Sequence, residues 1–138
     1  MERIQPLGVF LVGLLTVITA LGTWFFAFIF ILPAAAYPGG ISESPFPNVN
    51  TAIVLTGLTV AFGTLLLADA VLIFRGMRTG YFLSMASWIV LIITDIWLGY
   101  GFGLFIGYFI PITAFLILYP FFSFAYFSTQ KVKTYFSI

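Results

Sequence analysis

The chain has 138 residues, of which 62% are hydrophobic and 7% are charged, and its mean hydropathy is +1.19. Soluble domains usually carry about a quarter charged residues, so this composition excludes an ordinary soluble fold and indicates an integral membrane protein. The formal net charge of +1 is too small for a protein that binds nucleic acid. The length suits a single domain, residues 1–138.

The residue types that the chain lacks limit its chemistry. It contains no cysteine and no histidine. Disulfides and thiolate metal sites are therefore excluded, as are the usual haem ligand and the commonest general base. We expect no catalytic residue, no metal site and no cofactor, and we expect that the chain is not an enzyme.

Four apolar runs follow one another along the chain. They cover residues 7–32, 51–74, 81–98 and 104–127. A membrane-spanning helix needs about 20 mainly apolar residues, and each run is close to that length or longer. A cleaved signal peptide is the alternative for the first run, but signal hydrophobic regions have only about 7–15 residues. The sequence therefore predicts an all-α, four-helix transmembrane bundle with antiparallel, up-down topology.

The segments between the runs differ in character. Residues 33–50 contain four prolines and a Gly-Gly pair, which predict an irregular outer loop. Residues 75–80 form a short basic turn, and Gly99–Gly103 is a glycine-rich link. Residues 128–138 form a polar and basic tail.

The basic residues predict the orientation of the bundle. All five Lys and Arg residues fall in segments that four spans place on one side of the membrane: Arg3, Arg75, Arg78, Lys131 and Lys133. The segments on the other side carry none. Because basic residues concentrate in cytoplasmic segments, we predict a multi-pass protein of the cell membrane with both termini in the cytoplasm.

Small residues recur at helical spacing and mark faces that suit helix packing. Close packing of membrane helices depends on such residues, because lipid is as apolar as a leucine side chain. In the second run, Thr56 and Gly63 lie on one small face and Gly57 and Ala61 on another. A glycine series, Gly99, Gly103 and Gly107, precedes and enters the fourth run. These residues are candidates either for packing within the bundle or for an interface with a partner.

Two acids interrupt the apolar runs. Asp69 lies five residues before Phe74, about 7.5 Å from the cytoplasmic end of the second run. We expect it to form an interfacial ion pair with Arg75 and Arg78, or to extend towards water. Acids within membrane spans are otherwise candidates for function.

Asp95 lies about 21 Å from the cytoplasmic start of the third run, near the outer leaflet. It shares a stripe with Ser84, Ser87 and Thr94, which together form a candidate intramembrane polar site. No basic residue is available on that side of the chain. Asp95 is therefore expected to use water, backbone NH groups, a protonated form or a partner's cation.

The sequence favours a non-catalytic accessory or structural subunit of a larger membrane-embedded complex, with the lipid bilayer and other integral membrane subunits as partners. An energy-transducing assembly is one host that this interpretation allows. A small oligomeric transporter or ion channel that uses Asp95 is the alternative. A membrane protein of a virus-like particle is a second alternative.

Overall fold

A computed structural model describes residues 4–31, 49–101 and 110–138 of the chain. These residues form helices with short connections and contain no β-strand. Helix α1 is Leu7–Phe26, which continues into a π-helical turn at Ala27–Ile31, α2 is Val49–Phe74, α3 is Arg78–Gly101, α4 is Ile110–Phe127 and α5 is Gln130–Tyr135. The prediction of an all-α fold is confirmed for this part of the chain.

Three helices are long and apolar enough to cross a membrane. The segments that meet this condition are Leu7–Ile29, Ile53–Phe74 and Arg78–Ile96. At about 1.5 Å per residue they extend between about 28 and 35 Å, which matches a hydrocarbon core of about 30 Å. The first three predicted spans are therefore confirmed as candidate membrane spans, and the chain fits a membrane protein.

The fourth predicted span, 104–127, is described in part. Residues 110–127 form α4, which contains Pro120. Residues 102–109, with Gly103 and Gly107, lie outside the described residues, as does most of the predicted outer loop, 32–48. The part of that loop nearest to α2 was assigned wrongly, because Val49 and Asn50 already form the first turn of α2.

The predicted glycine-rich link begins too early in the sequence. The helix α3 continues through Gly99 and Gly101, and it also begins three residues before the predicted span, at Arg78. A glycine inside a helix costs only about 1 kcal/mol relative to alanine. Breaking the helix inside a bilayer costs more, because the freed backbone groups find no water there. Gly99 therefore belongs to the end of α3.

The turn between α2 and α3 follows from one glycine. Gly76 has a φ of +63°, which a glycine adopts without steric cost. Its NH group donates to the carbonyl of Ile73 at 3.0 Å, and the next NH group, of Met77, donates to the carbonyl of Leu72 at 3.1 Å. This is the Schellman arrangement, which satisfies the last carbonyls of a helix and reverses the chain.

The C-terminal segment contains a helix that the sequence analysis missed. Residues 128–138 were expected to form a polar tail, but Gln130–Tyr135 is helical. Val132, Tyr135 and Phe136 are buried. Their spacing of three and four residues places them on one side of the helix. The buried apolar side explains why so polar a segment folds onto the protein.

The chain divides into two compact units. The first unit comprises Met1–Gly13 and Asp69–Ile138, and the second comprises Leu14–Ala68. In the first unit α3 packs along α4, and α5 contacts α4. In the second unit the indole NH of Trp24 donates to the carbonyl of Val60 at 3.1 Å and so joins α1 to α2.

Candidate functional site

A carboxyl group and a hydroxyl group meet in the interior of the first unit. Asp69 of α2 and Ser84 of α3 are both fully buried. The Ser84 Oγ lies 2.8 Å from Oδ1 and 2.9 Å from Oδ2 of Asp69. It also lies 2.7 Å from the backbone carbonyl oxygen of Gly80, one turn earlier in α3. We call Asp69, Ser84 and the Gly80 carbonyl the polar cluster.

The close approach of α2 and α3 positions this cluster. A Cβ atom added to Gly80 would lie 2.7 Å from the Cβ of Leu72 and 3.0 Å from the backbone nitrogen of Ile73. Only glycine fits at such a distance from the backbone of α2. Since Ser84 follows Gly80 by four residues, it lies on the same side of α3 and reaches Asp69.

The polar cluster has more acceptor oxygens than hydrogens. The Ser84 hydroxyl has one proton, yet three acceptor oxygens lie within 2.9 Å of it. With an ionised carboxylate, one proton must serve the carboxylate and the Gly80 carbonyl together. With a protonated carboxyl, Asp69 donates to Ser84 and Ser84 donates to Gly80, so that the carboxyl group and the Gly80 carbonyl each have a hydrogen. The arrangement is therefore able to hold one additional proton away from water.

Two more polar groups are buried next along α3. Ser87 is 2% exposed and Trp88 is fully buried. Neither the Ser87 Oγ nor the Trp88 Nε1 has a hydrogen-bond partner in the described part of the chain. The Trp88 ring lies edge-on against Phe127, with the ring centroids 4.6 Å apart. Packing therefore accounts for the ring of Trp88, and its NH group remains available to an acceptor.

The predicted ion pair between Asp69 and the arginines does not form. Arg75 and Arg78 are exposed, whereas the carboxylate oxygens of Asp69 contact Ser84. The prediction used the distance of Asp69 from the turn and did not consider which side of α2 carries it. A side chain on the buried side of a helix meets the neighbouring helix, and the arginines lie at the surface.

The candidate site around Asp95 is divided by the structure. Ser84 belongs to the polar cluster with Asp69, so the predicted set does not assemble around Asp95. Thr94 is exposed and donates to the carbonyl of Val90 at 2.7 Å, within its own helix. The Oδ2 atom of Asp95 is buried and has no hydrogen-bond partner among the residues that the structure describes. Asp95 thus keeps an unsatisfied acceptor.

The two small faces of α2 have opposite environments. On one, within the second unit, Thr56 and Gly63 are buried, and a Cβ at Gly63 would collide with the indole ring of Trp24. On the other, Gly57 and Ala61 are exposed, and a Cβ at Gly57 would meet no atom within 4 Å. Thr64 and Ala68 extend this exposed face. We call Gly57, Ala61, Thr64 and Ala68 the open face.

The contact between Asp69 and Ser84 was not predicted, although the sequence contains a signal for it. Asp69 lies seven residues before Gly76, and Ser84 lies seven residues after Met77. In a hairpin of two helices, residues at equal distances from the turn lie at the same level. The serine at the matching position was therefore the first partner to test for Asp69.

The described residues offer no group of three or more His, Cys, Asp or Glu side chains that could hold a metal ion. Comparison of the chain with models of known protein families returns no match. Comparisons with curated proteins and with solved structures return no significant match either.

Proposed function

We propose that this chain is a non-catalytic accessory or structural subunit of a larger membrane-embedded complex. The open face of α2 is the observation that carries the proposal. Its members lie four, three and four residues apart, which keeps them on one side of a helix. Close backbone contact through such small residues is a main source of affinity between membrane helices. The partner that suits this face is a transmembrane helix of another subunit.

The open face differs from the rest of the exposed helix surface. Large apolar side chains such as Ile53, Val54, Leu58 and Leu65 are exposed around it on α2 and suit contact with lipid. At Gly57 and Ala61 no such side chain covers the backbone. A second helix can approach there more closely than at Leu58, and van der Waals contact between the two backbones then stabilises the pair.

The site chemistry supports a role without catalysis. Catalysis needs a positioned nucleophile, base or metal beside a place for the substrate. The polar cluster is one carboxyl group bonded to one hydroxyl group, and both are fully buried. Buried, satisfied groups of this kind stabilise a fold and specify how helices pair.

Purification of the chain with its natural partners tests the proposal. We expect the tagged protein, extracted from its native membrane in mild detergent, to retain other integral membrane subunits that mass spectrometry identifies. Gly57→Leu should reduce their recovery at least tenfold, because the new side chain separates the helices. The matched control is Gly22→Leu, since Gly22 is also exposed and has no atom within 4 Å of an added Cβ. Recovery of the chain without other subunits would overturn the proposal.

The proposed topology has four spans, with α4 as the fourth and both termini in the cytoplasm of the cell. The 18 residues of α4 extend about 27 Å, close to the thickness of the hydrocarbon core. The five basic residues then share the cytoplasmic side. Because the chain has no cysteine, each single substitution introduces one labelling site.

A membrane-impermeant thiol reagent applied to intact cells tests this topology. Thr79→Cys and Ser128→Cys should label only after the membrane is opened, and Ser44→Cys should label at once. Labelling of Ser128→Cys in intact cells, with Thr79→Cys still protected, would show that α4 does not cross the membrane. Labelling of both variants in intact cells would show that the termini face the outside.

A small oligomeric transporter or channel is the second candidate, and the unsatisfied Oδ2 of Asp95 favours it. A carboxylate oxygen without a protein partner can bind a cation or a proton. In this case the purified protein forms a homo-oligomer, and liposomes that contain it pass ions. Asp95→Asn should then abolish the flux, whereas Thr94→Ala, at the exposed neighbouring position, should retain it. If liposomes that contain the protein do not pass ions, the transporter or channel function is wrong.

A further inference from the structure

Four cations lie on two segments at one end of the first unit. Arg75 and Arg78 flank the turn between α2 and α3, and Lys131 and Lys133 belong to α5. Arg75, Arg78 and Lys131 are exposed, and Lys133 is half-buried. We call these four residues the basic end.

Contacts between α5 and the turn bring the two segments together. The hydroxyl of Tyr135 donates a long hydrogen bond, 3.5 Å, to the carbonyl of Phe74. A Cβ at Gly76 would lie 3.0 Å from the ring of Tyr135, so the turn and α5 touch. The next residue, Phe136, is fully buried, with its ring centroid 5.7 Å from that of Tyr81. Each cation is therefore within four residues of a contact that joins the segments.

No acid neutralises this end among the residues that the structure describes. The only acids there are Asp69 and Asp95. Asp69 is fully buried against Ser84. Asp95 lies 17 residues beyond Arg78, about 25 Å along α3. Within the described part of the chain, the four positive charges are thus free to attract an anionic ligand.

The basic end also lies at the level of the lipid headgroups. One candidate span ends at Phe74 and the next begins at Arg78, so the turn between them marks the boundary of the hydrocarbon core. The apolar side chains of α5, Val132, Tyr135 and Phe136, are buried in the protein. The helix α5 is therefore held by the fold, and its lysines lie at the same end of the unit as the arginines rather than on a free tail.

We propose that the basic end is a binding site for the phosphate groups of anionic phospholipids such as phosphatidylglycerol. Guanidinium groups bind phosphate oxygens in a bidentate manner, and lysines add point charges around them. The contacts of Tyr135 and Phe136 pre-position the four groups, which lowers the entropic cost of binding. This site is independent of the proposed partner face, because it lies in the first unit and uses different residues.

Native mass spectrometry of the protein released from mixed-lipid nanodiscs tests this proposal. Since each basic residue near a membrane surface contributes about a fivefold preference for anionic lipid, we expect phosphatidylglycerol to be retained at least about a hundredfold more than phosphatidylcholine. Lys131→Gln with Lys133→Gln should lower the retention by about 25-fold. Arg75→Gln with Arg78→Gln should lower it at least as much.

The matched control keeps the charge, with Lys131→Arg and Lys133→Arg expected to retain phosphatidylglycerol fully. Thermal unfolding of every variant in detergent shows whether it is folded, and the exposed position of Lys131 predicts little change. Equal retention of both lipids by the folded wild type would overturn the proposal, as would undiminished retention of phosphatidylglycerol by the folded glutamine variants. Displacement of the lipid by millimolar inorganic phosphate would show instead a site for free phosphate.

Discussion

Asp69 and Asp95 are the same residue type on neighbouring membrane helices, and their environments are opposite. Asp69 is fully buried and both of its carboxylate oxygens lie within 2.9 Å of the Ser84 hydroxyl. Asp95 is partly exposed, and its buried Oδ2 has no hydrogen-bond partner within the described residues. One acid is satisfied by a neighbouring helix, and the other keeps an acceptor that no described residue fills.

Two glycines on α2 repeat this contrast. Gly63 is buried against Trp24, so the chain itself fills the space that a side chain would occupy. Gly57, six residues earlier, is exposed and has free space around it. In each comparison, one member stabilises the fold and the other is a candidate for contact with a partner. Substitutions at the two kinds of position should therefore affect different measurements.

The largest effect on stability is expected at Gly63. The Gly63→Leu substitution places a side chain where the Trp24 indole ring lies, and its Cβ alone would be 3.2 Å from the carbonyl oxygen of Ala20. Overpacking and the loss of the hydrogen bond from Trp24 to Val60 together should lower the free energy of unfolding by about 2–4 kcal/mol.

Denaturant unfolding in mild detergent measures this effect, with Gly57→Leu as the matched control on the same helix. The control should remain within about 0.5 kcal/mol of the wild type, as substitutions at open surface positions usually do. Equal destabilisation by both variants would show that the two faces of α2 do not differ and would break the comparison.

A smaller loss is expected when the partner of Asp69 is removed. The Ser84→Ala substitution leaves the buried carboxyl of Asp69 without its hydrogen-bond partner, which should cost about 1–3 kcal/mol of unfolding free energy. Asp69→Asn should cost less, because the carboxamide can still donate to the Ser84 hydroxyl while its oxygen accepts.

The cycle formed by Ser84→Ala, Asp69→Asn and the double variant measures the interaction between the two side chains. We expect the effects to be clearly non-additive, with a coupling of about 0.5–3 kcal/mol, because the residues share one hydrogen-bond network. If the two losses simply add, Asp69 and Ser84 do not stabilise each other, and the contrast with Asp95 is lost.

The contrast between Asp69 and Asp95 also shows which structural features the sequence can predict and which depend on packing between helices. Hydropathy and the length of apolar runs identified three spans, because burial in lipid acts on average composition over about 20 residues. The spacing of small residues identified both faces of α2, but it could not tell which one the chain covers. That choice depends on the position of Trp24 on another helix, which no local pattern contains.

The errors have the same origin. The expectation that Asp69 pairs with Arg75 and Arg78 used distance along the chain and ignored the direction of the side chain around the helix. The helix α5 was missed because polar residues dominate its composition, although Val132 and Tyr135 have helical spacing. Its stability comes from packing against other parts of the first unit, and sequence composition does not report such packing.

The smallest effect on the stability of the purified chain is expected at Asp95. Its Oδ2 has no partner to lose, so Asp95→Leu should leave the unfolding free energy within about 0.5 kcal/mol of the wild type or raise it. Any change should be a small gain, because an apolar side chain suits a membrane span better than an unpaired acid. In native membranes the same variant should instead reduce the recovery of the proposed partner subunits, since no described residue supplies a cation to Asp95. Denaturant unfolding and co-purification, carried out on the same variant, separate the two effects. A loss of stability in the purified chain, comparable to that of Ser84→Ala, would mean that Asp95 is satisfied internally and that the two acids are alike.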